Sequence, residues 1–225
     1  MPQPGHQATR HAPPIDAGEY SRETEVVGSA EEVAVPGETG EGAWKASEVL
    51  TTFSEQPRWL QQELRSDHAG EVGAVMIYRG VLAISRNSSV RQFAEAHLCT
   101  EQKHLKLMED IVPVAGRTRL LPVWRLMGWL TGALPALFGP RAVFATIEAV
   151  ETFVDQHYEQ QIVRLYPEGP YDALRQVLID CQADEVSHRD EAAQLATPAR
   201  GFLLRLWCVI VGAGSAAAVV AAKRI

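Results

Sequence analysis

No Cys-x-x-Cys pair occurs in this sequence. Its three cysteines, Cys99, Cys181 and Cys208, are odd in number and far apart. This excludes a zinc ribbon or a dithiol redox site, argues against a disulfide framework, and fits a reducing compartment. All three read as small apolar residues on helix faces. No apolar signal-peptide core opens the chain, and its start is too acidic for a mitochondrial transit peptide, so the expectation is an untargeted cytoplasmic protein. No Gly-x-Gly-x-x-Gly run is present to bind a dinucleotide tightly. An excess of base is also missing: 28 acids face 21 bases, for a net charge of -7, which argues against nucleic acid as a partner. Acids are absent in turn from two stretches, residues 117–139 and 202–223.

The 225 residues suit one domain with a sizeable core. Residues 1–48 are set apart. Nine acids and three bases lie in residues 1–50, among Gly, Pro, Ala and Val without periodicity. Bulky apolar surface is too sparse there to offset the ordering entropy, so 1–48 reads as a disordered acidic tail and 49–225 as the folded domain. Helices are expected from about Pro57 to Ser85, Val90 to Ile111, Gly139–Pro140 to Leu165, Tyr171 to Leu195 and Phe202 to Lys223, with Asn87 capping the second. In the first, Gly70 and Gly73 flank Glu71, and each costs about 1 kcal/mol against Ala. Close approach by another helix or by a ligand accounts for them equally well. The acid-free stretch 117–139 holds Trp124, Trp129 and long aliphatics, broken by Pro122 and Pro135. It reads as an interfacial helix with basic flanks. The stretch 202–223 is long enough to span a bilayer, and docking on the bundle and a membrane surface is the preferred reading. Either arm serves equally as a homo-oligomer interface.

The chemistry is concentrated in a repeat. Glu185 and His188 are three apart, as are Glu101 and His104. Residues at that spacing project from nearly one helix face, so each turn aims a carboxylate and an imidazole at one point. Glu71 lies 30 residues before Glu101, and Glu151 lies 34 before Glu185. Each half of the chain is therefore a hairpin carrying a Glu and then a Glu-x-x-His, the donor set of a di-iron carboxylate bundle. The echo continues: Tyr78 is seven after Glu71 and Tyr158 seven after Glu151, on the same helix face in each case. Glu148 is a rival to Glu151 one turn away, but it breaks the matched spacing.

Carboxylates are hard, anionic and able to bridge two ions, and imidazole completes coordination without adding charge. Four Glu and two neutral His balance two Fe2+ ions, which avoids burying net charge. Structural zinc and calcium fit less well. Outer hydrogen bonds are expected to orient the ligating rings. Asp184 is placed to accept the free N–H of His104. Asp67, His68, Glu148 and His157 are further candidates around the ligands. Tyr78 and Tyr158 are candidates to deliver a proton or contact a substrate.

The segments Asp67-His68-Ala69-Gly70-Glu71-Val72-Gly73-Ala74, Glu101-Gln102-Lys103-His104-Leu105, Ala149-Val150-Glu151 through Gln156-His157-Tyr158, and Asp184-Glu185-Val186-Ser187-His188 resemble the demethoxyubiquinone hydroxylase family of ubiquinone biosynthesis. The resemblance covers residues 57–225 and excludes the acidic tail. It implies an all-α, ferritin-like four-helix bundle with two additional apolar, membrane-contacting helices. It also implies Glu71, Glu101, His104, Glu151, Glu185 and His188 as ligands of two iron ions, and hydroxylation of a polyprenyl methoxy-methyl-benzoquinol with dioxygen. The expected partners are the quinol, dioxygen, a membrane lipid surface, an electron donor the sequence does not name, and other quinone-biosynthesis proteins. The expected location is peripheral, on the cytoplasmic face of a bacterial inner membrane. Two other readings use the same ligands: a ferroxidase or peroxide-scavenging bundle, and a non-catalytic membrane-bound bundle stapled by metal.

Overall fold

The computed structural model describes residues 52–196 and 201–225, which belong to one compact unit. The acidic tail expected over 1–48 lies outside the described residues. Six α-helices are described: α1 (Arg58–Ile84), α2 (Ser88–Ile111), α3 (Leu121–Ala136), α4 (Pro140–Arg164), α5 (Asp172–Leu195) and α6 (Phe202–Arg224). No strand occurs among the described residues. The protein is all-α, as expected, and the helix ends fall within a few residues of those read from the sequence.

The local causes are plain. Asn87 caps α2, its side-chain oxygen accepting from the Val90 amide at 3.1 Å. Gly139 turns at φ 89°, in the left-handed region that a Cβ disfavours, and Pro140 then starts α4. Helices α1 and α2 form one hairpin and α4 and α5 the other; the two face each other as a four-helix bundle.

The interior is layered. At one end Leu60, Leu64, Met108, Tyr158, Leu174 and Leu178 form an apolar cluster. At the other, Tyr78, Val90, Phe93, Phe144, Ile147 and Ala192 form a second. Each fully buried aliphatic there is worth about 1.5–3 kcal/mol. Between the two lies a layer of buried Glu and His.

The acid-free helix α3 runs against α1 through glycine contacts. A Cβ on Gly132 would lie 1.9 Å from the Ile77 carbonyl oxygen, one on Gly128 2.5 Å from that of Gly73, and one on Gly80 2.2 Å from that of Trp129. Only small residues permit such backbone approach. The opposite face of α3 leaves Val123, Leu126, Met127 and Leu134 exposed, with Leu137 and Phe138 beyond its end. Helix α6 packs along α4 and α1. The Trp207 indole donates to Thr146 Oγ1 at 2.8 Å near its start, and Lys223 pairs with Glu63 near its end. By length and composition α6 could cross a membrane, with a mean hydropathy of 2.0. Its contacts at both ends lay it along the bundle, and it exposes Phe202, Leu203, Leu206, Val209 and Ile210.

Candidate metal centre

The structure brings the six expected ligands into one layer. Helix α1 supplies Glu71, α2 supplies Glu101 and His104, α4 supplies Glu151, and α5 supplies Glu185 and His188. None is more than 6% exposed. They fall into two overlapping groups, Glu71–Glu101–His104–Glu185 and Glu101–Glu151–Glu185–His188. Within each, the donor atoms lie within 4.8 Å of one another. Glu101 and Glu185 belong to both.

Several donor atoms in this layer make no hydrogen bond: Glu71 Oε2, both oxygens of Glu101, Glu185 Oε2 and His188 Nδ1. Buried acceptors are ordinarily paired, and leaving one unpaired costs about 1–3 kcal/mol. Orphaned oxygens converging from three helices fit a pair of cations. The protein alone resolves the charge by binding protons. Burial raises Glu71 to about 7, with a further push from Glu185. Burial and neighbouring carboxylates raise Glu101 and Glu151 well above the usual range. Glu185 runs the other way: burial opposes ionisation, but the bond to His104 and the nearby His188 ring hold it near 2. Burial likewise opposes protonation of His104, and Asp184 and Glu185 overcome it.

A cation must therefore displace protons from Glu71, Glu101, Glu151 and the histidines, and it competes better as pH rises. Anaerobic calorimetric titration with Fe(II) or Co(II) is expected to show affinity climbing from about pH 5.5 to about pH 8, with proton release at each step. A flat profile would contradict the protonated cluster.

Both histidines turn Nδ1 inward. His104 Nδ1 is 3.1 Å from Glu185 Oε1, and His104 Nε2 bonds Asp184 Oδ2 at 3.0 Å. Asp184, expected beside His104, is the carboxylate on the outer side of that ring. Asp184→Asn is expected to weaken metal binding by about 10–100-fold without unfolding the bundle; titration of folded protein, checked by circular dichroism, measures it. His188 Nδ1 lies 3.1 Å from Glu101 Oε1 and 3.4 Å from Glu185 Oε2. Among the described residues no carboxylate bonds its outer nitrogen as Asp184 bonds that of His104. The ring of His97 packs edge-on at 4.0 Å instead, its Nε2 bonded to Glu191 at 2.9 Å.

The tyrosines cross over. Tyr158 donates to Glu71 Oε1 at 2.6 Å and Tyr78 to Glu151 Oε1 at 3.2 Å, so each serves the glutamate of the other hairpin. Burial raises both phenols well above 10, and they remain donors.

The remaining candidates are placed differently from the expectation. Asp67 accepts from His157 Nε2 at 3.0 Å and Gln161 at 2.8 Å, and it orients no inward-facing imidazole. His157 Nε2 also lies 3.2 Å from the Gln161 amide, so the three form one network. His68, 1% exposed, makes no hydrogen bond to a ligand or to any other described group. Burial, with Arg117 and Arg125 nearby, holds it near 4, so it is neutral. Its direction explains this, since one residue of helical rotation separates it from Asp67. Glu148 is half-buried and outside both groups. Sequence reasoning missed His97, Glu191 and Gln161. For His97 a signal existed, since it stands seven residues before His104 on the same helix face.

A cleft reaches the cluster along the seam where α6 bridges α1 and α4. It has a volume of about 60 Å³ and is lined on its floor by Glu71, Glu101, Glu151 and Glu185. Gly70, Ala74, Phe153 and Val219 are among its walls.

Fold and site together define an all-α bundle of the ferritin-like kind, with a central Glu/His cluster suited to metal. Residues 58–222 match the family described as Ubiquinone biosynthesis protein COQ7, and the chain belongs to that family. It is 36% identical over 170 residues to the mouse protein named NADPH-dependent 3-demethoxyubiquinone 3-hydroxylase, mitochondrial, covering 72% of this chain and 76% of that one. To the Rhodospirillum rubrum protein named 3-demethoxyubiquinol 3-hydroxylase it is 37% identical over 135 residues, covering 58% of this chain and 62% of that one. A Caenorhabditis elegans relative bearing the mouse protein's name is 29% identical over 175 residues, 75% of this chain and 92% of its own.

Proposed function

We propose that this protein is a di-iron monooxygenase. It hydroxylates the ring of a polyprenyl methoxy-methyl-benzoquinol with dioxygen, in ubiquinone biosynthesis. The observation that carries the metal reading is the pair of donor groups sharing Glu101 and Glu185, with their orphaned oxygens. The substrate follows from family membership and from the names of the relatives.

Glu71, Glu101, His104, Glu151, Glu185 and His188 hold the two ions. Four carboxylates and two neutral imidazoles match the charge of two Fe2+, and the O/N donor set suits iron. Two ferrous ions, when bound, supply the electrons and Lewis acidity that activate dioxygen. The protein does the rest. The apolar clusters on either side keep bulk water from the ligand layer. Tyr158 and Tyr78 keep protons on their hydroxyls, facing Glu71 and Glu151, and so hold those carboxylates in orientation. In the overall reaction one oxygen atom enters a ring C–H bond and the other leaves as water. That balance takes two electrons and two protons from a reductant, and the NADPH dependence in the relatives' names favours a nicotinamide donor.

The exposed apolar faces of α3 and α6 suit a substrate whose isoprenoid tail lies in a bilayer. They support peripheral attachment by residues 117–139 and 202–223, with 49–225 as the catalytic domain. The proposed location is the cytoplasmic face of a bacterial inner membrane.

The test is quinone profiling by mass spectrometry in cells lacking the protein. The demethoxy precursor is expected to accumulate and to clear when the wild-type chain is restored. A normal profile in both strains rejects the hydroxylase reading and favours an iron oxidase or peroxide scavenger.

A further inference from the structure

Glycines in the middle of α1 and α3 fall into two kinds. Gly80, Gly128 and Gly132 touch backbone so closely that a Cβ would overlap it, and Gly73 lies beneath Trp124. Packing explains the first three; at Gly73 a Cβ would make ordinary contact with the Trp124 side chain, 3.9 Å away. Gly70 is different. It is exposed, its φ is not positive, and a Cβ built there meets nothing within 4 Å. Neither packing nor backbone conformation calls for glycine at a position where alanine would strengthen the helix.

What lies beside Gly70 supplies the reason. It lines the cleft that reaches the carboxylates, one residue before Glu71. Ala74, one turn further, continues the same wall with another small side chain. Val219 of α6 lines the cleft as well. Beside it α6 exposes Ala216, Ala217 and Val220, so a ligand leaving the cleft meets apolar side chains. The cleft itself is narrow. At about 60 Å³ it has room for only a few water molecules. A Cβ at position 70 touches nothing, but a side chain as long as leucine's can reach over the mouth of the cleft.

Resting on the quinol hydroxylase reading above, we infer that Gly70 is the aperture residue of the site. The missing side chain leaves the gap between α1 and α6 through which the quinol ring passes to the carboxylates, its tail trailing onto the apolar face of α6. Ala74 and Val219 are the other lips. The helix accepts a weaker residue at position 70 in return for passage.

The test uses the iron-loaded full chain with Gly70→Ala, Gly70→Leu and, as a control at an exposed position on the same helix, Ala83→Leu. Gly70→Ala is expected to unfold at a higher temperature than wild type, with unchanged iron content. Gly70→Leu is expected to keep its iron and lose about 100-fold in kcat/KM for a short-tailed demethoxyquinol, the scale of effect that misplacing a substrate produces. Oxidation of its iron by dioxygen without quinol needs only a diatomic to pass and should keep the wild-type rate. Ala83→Leu should match wild type throughout. A Gly70→Leu protein as active on the quinol as wild type overturns the aperture. One slowed equally in both reactions has a damaged centre and overturns it too. Should Gly70→Leu fail to fold, Gly70→Met decides: wild-type iron content with reduced quinol turnover supports the aperture, and undiminished turnover overturns it. Wild-type protein inactive on the quinol defeats the hydroxylase reading itself, whatever the variants do.

Discussion

Glu185→Ala is expected to empty both metal positions together and abolish hydroxylation. Glu185 belongs to both donor groups, and it is the carboxylate that remains ionised before metal arrives. Its oxygens lie 3.1 Å from His104 Nδ1 and 3.4 Å from His188 Nδ1, so one residue organises both imidazoles. The affinity lost should exceed the roughly 100-fold that follows removal of an outer hydrogen bond, because a donor itself is gone. The metal-free protein should also suffer, since breaking a buried charged pair by deleting one partner costs about 3–5 kcal/mol. Glu185→Gln separates the effects: it keeps the shape and one acceptor but loses the charge. Iron analysis of purified protein and complementation of the deletion strain measure both. Glu95→Ala, which removes an exposed partner of Arg91, should change neither. Retained product formation by Glu185→Ala at full iron content would sink the metal assignment.

The second large effect is expected at the contact between α1 and α3. In Gly132→Val the first added carbon lies 1.9 Å from the Ile77 carbonyl oxygen, a backbone atom that no rotamer change can move. Overpacking of a close contact costs about 1–3 kcal/mol, and more where backbone must shift. For a chain of this size each kcal/mol lowers the midpoint by about 2–4 °C, so a fall of about 5–10 °C is expected. Gly212→Val on α6 is the control, because a Cβ there meets nothing within 4 Å. Differential scanning calorimetry compares the two, and limited proteolysis across residues 112–120 reports whether α3 has lifted from α1. Equal losses in both variants would show that helix propensity, rather than the crossing, governs the result.

The six inward-facing residues were legible because helical geometry is local. Once Glu101 and His104, or Glu185 and His188, lie on a helix, their three-residue spacing commits them to one face. Duplication of the hairpin then pointed to Glu71 and Glu151. Asp184 was legible for a related reason, since a residue beside Glu185 on α5 reaches only the neighbouring helix. Gly70 and Gly73 looked alike in sequence and proved unlike in space. One lies under Trp124 and the other opens onto the cleft, and nothing within a single helix separates those cases.

The remainder depended on contacts between segments far apart in the chain. Tyr78 and Glu71 share a face of α1, yet Tyr78 bonds Glu151 and Tyr158 bonds Glu71, because hydroxyls two turns along a helix reach across the bundle. Asp67 joined His157 and Gln161 of α4, and His97 of α2 met Glu191 and His188 of α5, through relative helix rotations that no spacing encodes. The sequence by itself determined the helices, the donor set and the two acid-free arms, since period, capping and composition are properties of short stretches. Only the tertiary structure decided which carboxylates belong to both donor groups, which histidine has a carboxylate behind it, and where the buried layer opens. Those are distances between helices, and they arise when the two hairpins, α3 and α6 pack together.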